Sequence, residues 1–135
     1  MNFRSGTRAV LLLVGLLALS GCAFNVVILQ RTPAQFVATP PSDQAWTLTG
    51  EARATLAAGW ATALKPGTLW RRIGTIAEGD VLRTKDQLVT IEASNSYQAD
   101  IVVRDGRLVG FYLPVDHVFT ASTPPVALPL AEQAH

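Results

Sequence analysis

Few residues in this chain have the type and setting to do chemistry. The single cysteine, Cys22, follows Leu19-Ser20-Gly21 and closes a segment that is first basic and then apolar. With no second cysteine there is no internal disulfide, and no thiol pair for redox work or metal binding. The two histidines are His117, next to Asp116, and the terminal His135. They do not stand at metal-ligand spacing, and no Gly-x-Ser-x-Gly elbow accompanies His117 to suggest a hydrolytic triad. Glycines fall singly at turns, so no phosphate cradle is predicted. Asp80, Asp86, Glu92 and Asp100 could act as paired carboxylates only if the fold brought two of them together; solvated strand and turn positions account for them more simply. The expectation is therefore no catalytic set, no metal and no cofactor. One candidate for recognition remains, Trp70-Arg71-Arg72, where a cation beside an indole could bind a partner. Strand alternation competes with that reading, since it would turn the indole into the core and one arginine into solvent.

The elements around Cys22 give it a role. Arg4 and Arg8 form a short positive region, and Ala9 to Leu19 an apolar run of about 11 residues, the length expected of a signal peptide. As a helix that run reaches roughly 16 Å, about half of a bilayer's hydrocarbon thickness. Extending it through Val26 to Leu29 as a transmembrane anchor would have to include Ser20, Gly21, Cys22 and Asn25. The pattern Leu19-Ser20-Gly21-Cys22 resembles the lipobox of bacterial lipoproteins, over residues 1 to 23. The resemblance implies diacylglycerol transfer to the Cys22 sulfur, cleavage before Cys22 and acylation of its amine. Two or three acyl chains on one residue suffice for stable anchoring. In this class an Asp after the cysteine favours inner-membrane retention. Ala23 stands there instead, which implies the outer membrane, facing the periplasm.

The remaining chain divides by composition. Residues 22–45 form an expected tether, with Pro33, Pro40 and Pro41 among polar residues, able to span roughly 60–70 Å at full stretch. Residues 46–120 form a small β-domain, and 121–135, again rich in Pro and Ala, a flexible tail. Trp46 to Leu56 alternates strictly and predicts a strand. Leu56, Trp60 and Leu64 are spaced i, i+4, i+8 among alanines, so 52–64 is predicted as a strand passing into a short helix or a second strand. Lys65-Pro66-Gly67 signals a turn, and β-rich runs follow up to Leu113. The clearest local signal is Asp105-Gly106, a type I′ hairpin pair between 97–104 and 107–113. The strand 107–113 is apolar on both faces and should lie inside a sheet. The predicted fold is mainly β: a small antiparallel sheet of about six strands curled into a barrel or sandwich.

Function follows from exclusion and architecture. The formal charge is +1, and loss of Arg4 and Arg8 with the leader leaves nine basic against ten acidic side chains, with no block of like charge. Nucleic-acid binding is not expected. A domain of about 75 residues without disulfides has a small core, which partner contacts or self-association could supplement. The expected function is that of a non-enzymatic, membrane-anchored envelope lipoprotein that docks another envelope protein. The alternative is a small-ligand-binding or enzyme-inhibitor module.

Overall fold

The computed structural model describes residues 29–57, 59–93 and 95–133. The expected leader, Cys22 and His135 lie outside the described residues. The N-terminal half carries β1 (Thr32–Pro33), β2 (Val37–Ala38), β3 (Trp46–Leu48), β4 (Ala52–Thr55), β5 (Ala61–Leu64) and β6 (Leu69–Ile76). It is followed by β7 (Gly79–Arg83), β8 (Thr90–Glu92), β9 (Ser96–Gln98), β10 (Asp100–Arg104), β11 (Arg107–Leu113), β12 (Val118–Ala127) and β13 (Leu130–Glu132). All pairings are antiparallel. Nine strands form one sheet in the order β1-β12-β11-β10-β7-β6-β3-β13, with β2 also on β6. The pairs β4-β5 and β8-β9 stand as separate hairpins.

The mainly-β, antiparallel expectation is met, and three details differ. No helix occupies the described residues of 52–64: Ala52–Thr55 and Ala61–Leu64 pair as a hairpin, with Gly59 at φ 86° in the turn. Leu56 and Leu64 are both buried, so their helix-like spacing reflects two strands meeting one core. Second, the supposed tether and tail contribute strands. β1 and β2 lie within 30–45, and β12 and β13 run through 118–132. Pro124 and Pro125 fall between the rungs Gly110↔Ala121 and Leu108↔Val126, where a missing N–H breaks no ladder. Third, the sheet is larger than six strands, and it is not a closed barrel, since its path ends at β1 and β13.

The sheet is nevertheless sharply curled. Strands β1 and β2 flank the run from β12 to β6, about 29 Å apart if that run were flat. The chain joins Pro33 to Val37 in four steps that reach only about 14 Å. Likewise β12 and β13, on opposite sides of the path, are separated by Leu128 and Pro129 alone. Register shifts at Arg72/Gly74, Val102/Val103 and Leu108/Gly110 supply the bends. The Asp105-Gly106 turn has φ of 52° and 72°, the left-handed pair that a type I′ hairpin requires. β11 has a neighbour on each side and is buried from Leu113 back to Gly110, as its two apolar faces predict.

Alternation along the strands builds two apolar layers. Leu82, Ile101 and Phe111 face the main core, which also contains Leu48, Leu64, Trp70, Ile91 and Leu108. Their chain neighbours Val81, Val102 and Tyr112 face the other way, into a smaller cluster with Ile76 and Phe119. That second cluster is covered by Ala34 and Phe36 from the segment between β1 and β2. The Phe36 ring stacks on Tyr112 at 5.3 Å and lies against Gly74, where a Cβ would strike it. Gly74 is thus required by close approach. Away from the large sheet, the Gln87 carboxamide donates to Ala63 O and accepts from Lys65 N, at 2.9 and 3.0 Å, along the outer side of β5.

Candidate functional site

The smaller face carries the most strongly organised polar groups among the described residues. Register places Arg71 on β6 opposite Arg83 on β7, and Asp100 on β10 opposite Tyr112 on β11. Arg83 bridges the two pairs. Its Nε and Nη2 donate to Asp100 Oδ1 and Oδ2 at 2.9 and 2.8 Å, a bidentate clamp. Asp100 is only 2% exposed, whereas the Arg83 side chain is 45% exposed. The hydrogen bonds to Asp100 hold the Arg83 guanidinium above its ordinary pKa. Tyr112 is raised as well, first by burial and then by the negative charge of Asp100. The Tyr112 hydroxyl lies 3.0 Å from His117 Nδ1, and Tyr112 is opposite Phe119 on β12.

Beside this row lies a cleft of about 340 Å³, lined by Leu69, Arg71, Ile73, Arg83, Lys85 and Asp86. Its floor is apolar and three cations surround it. Asp86 is held in place by its own contacts: Oδ2 accepts from Leu69 N at 2.7 Å, and its N–H donates to Thr84 Oγ1 at 3.1 Å. An adjoining cleft of about 320 Å³ shares Arg83 and Lys85 and is flanked by Leu88, 75% exposed. Together they present apolar surface bordered by Arg71, Arg83 and Lys85. Chemically this favours a partner group that combines a carboxylate or other anion with an apolar side chain. A third cleft, of about 470 Å³, opens near Trp46, Leu82, Val103, Leu128 and Leu130.

The structure divides the Trp70-Arg71-Arg72 patch. Trp70 is 1% exposed and packs in the main core, its Nε1 donating to Thr68 Oγ1 at 2.8 Å. Its ring is packed in the interior, and the residue also lines the cleft shared by Arg83, Lys85 and Leu88. Arg72 lies opposite Leu82 and reaches Asp80 at 3.8 Å. Arg71 alone joins the cleft, and its Nη1 makes a 3.4 Å contact with Asp43 O. Sequence reasoning missed Arg83 and Lys85 as binding candidates. The only signal for Arg83 was its placement two residues after Val81, which fixes the shared face but not the partner Asp100. Trp46 and Trp60 pack against the main core, Trp60 edge-on to Phe111 at 6.2 Å. Among the described residues no three His, Cys, Asp or Glu side chains gather as a metal site would. No family model, curated protein or solved structure matches the chain.

Proposed function

We propose that this chain is a membrane-anchored cell-envelope lipoprotein, lipidated at Cys22, whose β-domain docks another envelope protein without catalysing a reaction. The lipobox-like residues Leu19 to Cys22 support the anchor, and Ala23 favours the outer membrane, facing the periplasm. The observation that carries docking is the pair of adjoining clefts in which Arg71, Arg83 and Lys85 border the apolar surface of Leu69, Ile73 and Leu88. An acidic, partly apolar segment of the partner fits that surface. Charge sets its orientation and rate of encounter, and the apolar floor holds it. Asp100 anchors Arg83 from beneath, so the guanidinium is preorganised before any partner arrives. The curled sheet, with a covered second face, fits a sandwich-like domain.

The test uses the full chain in its own membrane, with a photo-crosslinking side chain in place of Leu88. One crosslinked envelope protein is expected, lost when Arg71→Glu and Lys85→Glu are combined. Crosslinking that is absent, or indifferent to the two reversals, overturns docking at this surface. Mass analysis of the same protein should show the acyl groups, and Cys22→Ser should abolish them together with membrane retention.

A further inference from the structure

The main-core face of the sheet is not apolar throughout. Register sets rows of side chains across it. One row runs from Leu82 through Ile101 to Phe111, with Arg72 opposite Leu82 at its end. The next runs from Asp80 through Val103 to Leu108. Leu82, Ile101, Phe111 and Leu108 belong to the main core, and Val103 packs against it. Arg72 and Asp80 therefore occupy positions at which alternation turns the side chain toward that core. They meet at 3.8 Å, with side chains 42% and 49% exposed. Water thus reaches the main-core face at this end, and two charges stand where a closed core would hold apolar residues.

The cleft of about 470 Å³ opens here, a volume within the range of about 300–1,000 Å³ typical of small-molecule sites. Leu82, Val103, Leu128 and Leu130 give it apolar walls, and Trp46 adds an indole. Its charged lining residues are Asp80, Asp105 and Arg104, two carboxylates against one guanidinium, and Arg104 is exposed. The surrounding backbone is tied together. Leu128 N–H donates to Gly106 O at 3.0 Å, and Gly79 lets β7 pass close against Val103, whose carbonyl a Cβ there would strike. None of these lining residues belongs to the two clefts assigned to docking.

We infer that this cleft binds a small organic cation, an ammonium group carried on an apolar body. The indole attracts a cation through its quadrupole. Asp80 and Asp105 add Coulomb attraction, and the leucine and valine walls take the apolar body out of water. Arg72 stands too far from Asp80 for a hydrogen bond, so the carboxylate can accept one from an ammonium N–H. An anion would meet two carboxylates, and a neutral molecule would gain only the apolar part. The site is separate from the docking surface and does not depend on lipidation.

The experiment takes the full chain in phosphatidylcholine nanodiscs, with its tryptophans replaced by 5-fluorotryptophan. It is titrated at pH 7 with benzylammonium, with the near-isosteric benzyl alcohol, or with phenylacetate. The chain has three tryptophans, of which Trp46 alone lines this cleft. One fluorine resonance should therefore shift saturably, identified by its loss in Trp46→Phe. Benzylammonium should bind roughly fivefold or more tightly than benzyl alcohol, and phenylacetate more weakly than either. Combining Asp80→Asn with Asp105→Asn should cut the preference for the cation to less than about twofold, while benzyl alcohol still moves the Trp46 resonance. Should that variant fail to fold, the comparison of the three probes on the wild type decides alone. Equal binding of cation and alcohol, tighter binding of phenylacetate, or no saturable shift at Trp46 overturns the site. A preference that survives in the folded double variant overturns the part given to the carboxylates.

Discussion

One face of the sheet closes over Trp70, Phe111, Leu48 and Ile101, with its polar groups satisfied locally, as Trp70 is by Thr68. The other face carries an ion pair, a buried phenol and an aromatic stack, and part of its cover comes from residues 34–36. The first face is built mainly by strand alternation, completed by Leu56, Val89, Ala99 and Leu128 from the connections. The second depends on cross-strand register and on a segment whose composition looks like linker. Stability is thus concentrated on one side, while the Arg83–Asp100 ion pair lies on the other.

Removing the largest contribution should break the contrast outright. Phe111→Ala opens a cavity in the main core and should cost about 3–5 kcal/mol in denaturant unfolding. Arg83→Met should come next, at about 3 kcal/mol, because it strands the Asp100 carboxylate where water does not reach. Asp100→Asn should cost only about 1 kcal/mol, since the half-exposed Arg83 can be hydrated. Adding Asp100→Leu to Arg83→Met should recover most of the loss. If the two single variants cost the same, the burial asymmetry between the partners has no energetic weight.

Cover from the N-terminal segment should be worth less than the main core. Phe36→Ala removes a half-buried ring and should cost about 2 kcal/mol. Gly74→Ala should cost about 1–3 kcal/mol by lifting that ring. In the double variant the new methyl meets no ring, so the sum should fall short of additivity in a thermodynamic cycle. Full additivity would show that the Val37 carbonyl, which a Cβ at position 74 would also meet, and not the Phe36 ring sets the cost of Gly74→Ala.

The smallest effect is one of pH. Tyr112 keeps its proton more firmly in the folded state than an ordinary phenol, through burial and the charge of Asp100. Its contribution is present in full below the unfolded phenol pKa of about 10, and is lost as pH rises through the higher folded value. Chemical denaturation between pH 9 and 11.5 should show a steeper fall for the wild type than for Tyr112→Phe. Equal slopes would mean that the phenol ionises as freely in the fold as outside it.

The contrast between the faces also marks what was legible in the sequence. Strand content, the Asp105-Gly106 hairpin and the interior place of 107–113 follow from period-two alternation and turn chemistry, which act within a few residues. The hairpin at 52–64 was ambiguous because alanine favours helix while Leu56 and Leu64 satisfy either geometry. Pro33, Pro124 and Pro125 gave the N- and C-terminal segments the look of linkers. In the fold Pro33 lies on an edge strand, and the Pro pair lies in a gap between rungs. Arg71 could be named from its type. The Arg83–Asp100 clamp could not, because it joins residues seventeen apart through a register that local patterns do not encode.

Gln87 has a consequence for the life of the protein among other copies of itself. Strand β5 pairs only with β4 among the described strands, and an open edge is a template for a foreign strand. By meeting Ala63 O and Lys65 N with one carboxamide, Gln87 occupies the donor and acceptor that an incoming backbone would need. A single side chain thus does the work of a blocking strand, keeping the edge from seeding polymers where copies are crowded together.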